Sequence, residues 1–448
     1  MSQQVDPGRI PALKAVVAGA LDEARRLGAS QAEVDASLQQ GLSVSVRLGE
    51  VETVEYQRDR GLGVTVYFGQ RKGSASTADL SADAVRATVA KACAFARHTA
   101  EDECAGLADP ALLAREPLAL ELDFPWDIGP EAAVSLAREC EAAGRAVDPR
   151  IDNSEGASVG SQRGVRVYGN SHGFLAGDCA TSHSLSCVLL AGEDGEMQRD
   201  YWYETARDPR DLATAAHIGR IAGERTVARL GARRIATTRA PVLFAPEVAR
   251  GFIGHLIGAI SGGAQYRKAS FLLGAAGERI FPSWVQMHER PHLPKALAST
   301  GWDSEGVSTR DRELVRDGVL DGYLLGSYSA RKLGLVSTGN AGGLHNLLVD
   351  PSAGSPSQAE LLRRMGRGLL VTELMGQGVN GVTGDYSRGV TGFWVEDGAP
   401  AFPVHEITIA GNLKDLYLGL AAIGGDIDAR GGIRTGSVLV GEMTVAGE

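Results

Sequence analysis

The sequence predicts an α+β chain: two helix–antiparallel sheet–helix units followed by a β-rich C-terminal domain. Three observations carry this. Helical spacing of apolar residues recurs at 10–27, 81–99, 131–146 and about 211–231, and each pair of these segments brackets a group of strand-like runs. From Pro241 the texture changes to short β-branched runs separated by glycines. Finally, 448 residues exceed a single core, and 58 glycines with few aromatics mark many tight turns between short strands.

The first helix carries Leu13, Val16, Val17, Ala20 and Leu21 on one face and stops before Gly28. Strand-like runs follow at 33–38, 43–48, 51–57, 62–68 and 72–77. Ser81 opens the second helix, with Asp83 in its first turn. Residues 100–128 are acidic and proline-containing and read as a linker or peripheral wrap. The pattern then repeats: helix 131–146, strand-like segments near 150–158, 163–168, 173–191 and 195–204, and a closing helix. This second unit reads as an echo of the first. Val-Leu-Phe-Ala at 242–245 is a buried-strand candidate, 246–260 a helix, and 390–395, 403–409 and 436–445 are strands. The expected domains are 1–100, a linker at 101–128, then 129–235 and 236–448.

Composition excludes several classes. A formal net charge of −10 lacks the positive footprint that phosphate binding requires, so nucleic acid is not expected as a partner. The apolar run at 416–423 is too short to span a membrane. The amino terminus has no apolar signal-peptide core, and five dispersed cysteines with no Cys-x-x-Cys pair suit reduced thiols. A cytoplasmic location is expected.

Residues 288–292 read His-Glu-Arg-Pro-His, a formal match to the H-E-x-x-H zinc-protease pattern. The pattern works only on an α-helix, where positions i and i+4 share a face. Pro291 removes a helical amide and pushes Arg290 out of the α region, and Pro294 interrupts again. An extended or turn-rich segment is therefore expected. A zinc site built from His288, His292 and a carboxylate in a loop is the competing reading. Ser329 and Lys332 satisfy Ser-x-x-Lys without its companion motifs, and Asp426 and Asp428 lie between glycines where a turn is expected.

On the 246–260 helix, Val248, Phe252, Leu256 and Ala259 share a face that includes His255, while Gly254, Gly258 and Gly262 recur every four residues. Each glycine costs a helix interior about 1 kcal/mol relative to alanine, so close packing of another backbone along this stripe is expected. Gly258, Ala259 and Ile260 follow His255 at i+3 to i+5, so this helix by itself cannot bind zinc.

The C-terminal third resembles the TldD/PmbA family, in its PmbA (TldE) branch. Five strings carry the resemblance: Ser327-Tyr-Ser-Ala-Arg-Lys-Leu-Gly-Leu335, Ser337-Thr-Gly-Asn-Ala-Gly-Gly343, Thr372-Glu-Leu-Met-Gly-Gln-Gly-Val-Asn380, Val382-Thr-Gly-Asp-Tyr-Ser-Arg-Gly389 and Glu406-Ile-Thr-Ile-Ala-Gly-Asn-Leu-Lys-Asp415. The first two-thirds match by layout. The resemblance implies a cytoplasmic proteolytic system of two paralogous subunits, TldD and PmbA, which pair as a heterodimer and act on small unstructured peptides. In the TldD subunit a helix bearing His-Glu-x-x-x-His, with a distant cysteine, holds zinc. The 246–260 helix looks like its counterpart, with His255 at the first histidine position, Leu256 at the glutamate and Ile260 at the second histidine. The resemblance thus implies that this chain holds no metal or catalytic residue of its own, the zinc belonging to the TldD-like partner. It also leaves open a homodimer in isolation, and a DNA-topology role suggested by older family naming, against which the acidic charge stands. His288, Glu289, His292, Asn340, Asn380 and Asp385 are expected to border the peptide cleft.

Overall fold

The computed structural model describes residues 5–116 and 118–447. Its first half runs α1 (Ile10–Arg26), β1 (Gln31–Arg47), β2 (Glu50–Phe68), β3 (Arg71–Thr77), α2 (Ala82–His98), α3 (Pro130–Arg145), β4 (Asn153–Asn170), β5 (Leu175–Glu193), β6 (Glu196–Ala206) and α4 (Ala215–Ala228). The strand order β3-β2-β1-β4-β5-β6 makes one antiparallel sheet. The two expected units are therefore fused. β1 pairs with β4 from Glu33–Asn170 to Val46–Ala157, placing the halves back to back.

The sequence runs at 33–38 and 43–48 are one strand, as are those at 51–57 and 62–68. What divides them in the sequence is a polar waist, not a turn. One core, under α1 and α2, takes Val34, Ala36, Leu62, Val64 and Val66. A second, under α3 and α4, takes Leu42, Val44, Val46, Val159, Cys187 and Leu189. Gln39 and Gln40 lie on the stretch of β1 between the two cores, where burial demands no apolar residue. α3 and α4 cross at glycines: a Cβ on Gly219 would meet the Cys140 carbonyl oxygen at 1.8 Å, and one on Gly144 the Gly219 oxygen at 2.6 Å.

Of the two readings of residues 101–128, linker or peripheral wrap, the contacts favour the wrap. Arg331 donates to the carbonyls of Cys104 (2.8 Å), Gly106 (3.0 Å) and Leu107. Asp102 accepts from Tyr328 (2.6 Å) and Lys332 (2.9 Å). Thr181 N–H donates to the Leu122 carbonyl. The segment straps the first half to the C-terminal half because its exposed carbonyls and acidic groups meet a basic helix.

The C-terminal half comprises β7 (Thr238–Phe244), α5 (Pro246–Ala259), α6 (Gly262–Tyr266), β8 (Met287–Glu289), β9 (Arg312–Arg316), β10 (Val319–Leu320), α7 (Ser327–Leu333), β11 (Leu347–Val349), α8 (Gln358–Met365), β12 (Gly368–Met375), β13 (Asp385–Glu396), β14 (Ala399–Asn412), α9 (Leu413–Leu418), β15 (Leu420–Ile423), β16 (Ile433–Arg434) and β17 (Val438–Ala446). It is β-rich with several short helices. The sheet β14-β13-β12-β7-β17-β15 closes on itself, because β14 also pairs with β17 between Thr408 and Ala446. A second sheet runs β10-β9-β8-β11-β16. α5 leaves the central strand β7 through Ala245, and Pro246 occupies the first helical turn, where its missing amide costs nothing. Val242, Phe244, Phe252, Ile253 and Leu256 then share one core with β13, β14 and β17. The halves are tied by a chain of charges: Arg229, just past α4, pairs with Asp200 of β6 at 2.8 Å and with Glu373 of β12 at 2.6 Å. Among the described residues, no helix is long and apolar enough to cross a membrane.

Candidate functional site

The α5 helix presents two unlike faces. Leu256 and Ile260 are fully buried in the closed-sheet core, beside Phe252, Tyr417 and Phe281. His255, one residue before Leu256, is half-buried and packs at the edge of that core. Its ring meets Tyr386 edge-on at 5.7 Å, and its Nε2 is buried without a hydrogen-bond partner. Burial, with the nearby Arg388 cation adding to it, holds this imidazole below its ordinary range, so it is neutral at neutral pH. The hydroxyl of Tyr386 is likewise buried and unpartnered.

The glycines of this helix overturn the expected packing. A Cβ on Gly258 would meet nothing within 4 Å; on Gly254 it would touch only the Ile433 side chain at 3.8 Å, and on Gly251 only Leu374 at 3.9 Å. No backbone covers the stripe. Only Gly262, already in α6, is closely packed, against Ser329 and Leu325. Gly251 and Gly258 are exposed and Gly254 half-buried. The result is a strip of α5 without side chains, approached only by Leu374 of β12 and Ile433 of β16, with His255 next to Gly254 in the helix. Arg434, next to Ile433, has a buried Nε without a partner.

The other expected site residues divide into two places. Asn380 lies in the turn before β13 and Asp385 opens that strand, next to Tyr386, which packs on His255. Asn380 Oδ1 accepts from the amides of Val382 (2.9 Å) and Thr383 (3.2 Å), and Asp385 accepts from Thr383 Oγ1 (2.6 Å) and Asn412 Nδ2 (3.1 Å). These bonds shape the turn. The His-Glu-Arg-Pro-His segment instead forms strand β8 and the turn after it. His288 sits between Glu313, bonded to Nδ1, and Asp350, 3.0 Å from Nε2. His292 Nε2 lies 2.9 Å from Thr309 Oγ1.

Glu289 and Asn340 lie inside the domain, not on a cleft. Glu289 is 2% exposed and accepts from Asn340 Nδ2 (2.7 Å) and the His345 amide (2.8 Å). Asn340 Oδ1 in turn accepts from Arg312 (2.9 Å). Burial raises the Glu289 carboxyl, and the His345 amide, the Arg312 charge and the Asn340 bond partly offset this. Their polar groups are spent holding the 339–346 loop against β8, the usual fate of buried polar side chains. In the Ser-x-x-Lys match, Ser329 bonds the Gly326 carbonyl and Lys332 pairs with Asp102, so the two are engaged apart. Asp426 and Asp428 serve turns, toward Ser437 and Arg430.

A catalytic zinc takes about three protein ligands and one open position. α5 supplies one imidazole; its flanking candidate positions carry aliphatic side chains in an apolar core. All five cysteines are buried and precede α5 in the chain. Among the described residues, no group of three or more His, Cys, Asp or Glu side chains could hold a metal ion. The residues present do not fit a zinc ion.

Known proteins give these features a context. Three family models match in series: PmbA/TldA metallopeptidase domain 1 at 32–96, the central domain at 123–230 and the C-terminal domain at 237–447. The chain is 52% identical over 417 residues to Metalloprotease PmbA of Escherichia coli O157:H7, covering 93% of this chain and 92% of that one. It is 48% identical to the Metalloprotease PmbA homolog of Haemophilus influenzae, over 97% and 96% of the two chains. A crystal structure from Bacteroides thetaiotaomicron, described as a putative modulator of DNA gyrase, superposes with a TM-score of 0.92 at 27% identity, over 98% of this chain and 100% of that one. The closed-sheet C-terminal half, the fused first half and these full-length matches agree: the chain belongs to the PmbA/TldD metallopeptidase family, on its PmbA (TldE) side.

Proposed function

We propose that this chain is the metal-free subunit of a heteromeric TldD–TldE zinc metalloprotease, in the cytoplasm, acting on small unstructured peptides. The observation that carries this is the chemistry of α5: one neutral imidazole, with Leu256 and Ile260 buried where a water-activating carboxylate and a second ligand would stand. The glycine strip of α5 beside it suits an extended backbone. Without side chains there, a peptide main chain can approach closely whatever its sequence. In this reading the paralogue holds zinc and hydrolyses, while this chain shapes the cleft.

The test is co-expression with a TldD-like paralogue, followed by peptide-cleavage assays on each subunit and on the pair. Cleavage by the pair and none by this chain is expected; cleavage by this chain alone overturns the proposal. The competing loop-zinc reading predicts stoichiometric zinc in the isolated chain, lost in a His288→Ala/His292→Ala double variant. Both ring nitrogens of His288 are already engaged by carboxylates, and that of His292 facing Thr309 by a hydroxyl, which weighs against it.

A further inference from the structure

We propose that the Asn380-Gly381 pair is a self-modifying site, at which the chain converts asparagine to aspartate and isoaspartate through a cyclic imide. Six asparagines occur in the sequence, and only Asn380 precedes glycine; the others precede Ser154, Ser171, Ala341, Leu347 and Leu413. A side chain on the following residue crowds the main-chain nitrogen that must attack, and glycine has none.

The turn before β13 leaves two of the three reacting groups free and engages the third. Asn380 and Gly381 are both exposed, and a Cβ on Gly381 would meet nothing within 4 Å. Among the described residues, the Gly381 amide has no acceptor, and Asn380 Nδ2, the group that must leave, has no partner. Asn380 Oδ1, in contrast, accepts from the amides of Val382 at 2.9 Å and Thr383 at 3.2 Å, an Asx turn. Those donors draw electrons from the side-chain carbonyl carbon and stabilise the oxyanion that forms on attack. The nucleophile is unbonded, the electrophile polarised and the leaving group solvated.

The chemistry needs only water. Hydroxide takes the Gly381 amide proton, and the nitrogen attacks Asn380 Cγ. The new C–N bond closes a five-membered imide as the Cγ–Nδ2 bond breaks, and the nitrogen leaves as ammonia with a proton from water. Water then opens the imide. Opening at the side-chain carbonyl restores the main chain and leaves aspartate. Opening at the main-chain carbonyl leaves isoaspartate, whose main chain runs through Cβ and Cγ.

The two products differ in what the turn keeps. Aspartate still accepts from Val382 and Thr383. Isoaspartate turns the carbonyl that accepts from Gly384 at 2.8 Å into a free carboxylate. It also inserts a methylene before Gly381, whose own carbonyl accepts from Phe271 at 2.9 Å. This turn leads into Tyr386, which meets His255 edge-on at 5.7 Å. The site is a chemical clock beside α5, and it runs whether or not the glycine strip carries peptide.

The test incubates the full-length chain at physiological temperature, at neutral and mildly alkaline pH. Mass spectrometry follows the tryptic peptide 368–388, which has no internal Lys or Arg, and enzymatic methylation of isoaspartyl carboxylates is the second readout. Exchange of NH for O confined to that peptide is expected, faster at the higher pH and within about tenfold of the rate in the free synthetic peptide. Gly381→Ala, and Asn380→Gln, which needs a six-membered ring, should each slow conversion at least about tenfold. Gly381 has no positive φ and open space at its Cβ, so Gly381→Ala should keep the circular dichroism and melting of the parent. A 368–388 segment that stays intact in the folded chain while the free peptide converts overturns the proposal, because the turn then protects the pair. So does conversion spread over the other asparagines, or conversion indifferent to Gly381→Ala.

Discussion

A helix crossing and a lone helix surface in this chain use glycine for opposite ends. Where α3 crosses α4, Gly144, Gly219 and Gly223 let backbones touch, and a methyl on Gly219 has nowhere to go. On α5, Gly251, Gly254 and Gly258 hold a surface open, and a methyl on Gly258 meets nothing. Both patterns look alike in the sequence: small residues at helical spacing. The first is a packing solution, in which lost helix propensity is recovered by close van der Waals contact. The second recovers nothing within the chain, which leaves the strip free for the proposed peptide path.

Substitutions can break this contrast, beginning with the largest effect. Gly219→Ala forces the α3–α4 crossing apart and should destabilise the protein by about 3 kcal/mol, seen as a lower urea midpoint with unchanged slope. Gly258→Leu should leave the midpoint nearly unchanged but reduce peptide cleavage by the paired subunits at least about tenfold; undiminished cleavage would mean the α5 strip is not the peptide path. Gly258→Ala should stabilise by up to about 1 kcal/mol, since helix propensity is gained with no clash.

The smallest effect is a pH dependence. Burial lowers His183, His255 and His345, so each takes up a proton more readily unfolded than folded. Their contribution is complete above the ordinary histidine value of about 6.5 and is lost as pH falls from there through the lower folded values. Urea midpoints measured from pH 7 downward should fall, and His255→Gln should flatten part of that fall.

The sequence made the local features legible. Ser81 caps α2 as its position suggests, accepting from Ala84, and proline in 288–292 excludes a zinc helix where a short strand stands. Two things lay beyond it. The continuity of β1 was hidden because Gln39 and Gln40 break the apolar alternation only where the strand passes between two cores. The openness of the α5 stripe was hidden because a glycine reads the same whether its neighbour is a backbone or solvent. The Arg229–Glu373 pair, separated by 144 residues, has no local signature at all.

The fusion of the first half into one sheet has a consequence for synthesis. Strand β1 cannot be finished until β4 exists, since Glu33 waits for Asn170. At ribosomal speeds that interval is on the order of ten seconds. Meanwhile β1 offers a long unpaired edge, a setting in which chaperone attendance or coupled translation pausing would matter. A nascent chain halted after the first family-model segment, at residue 96, would carry helices and a hairpin but half a sheet. That segment is a unit of descent, not a unit of folding.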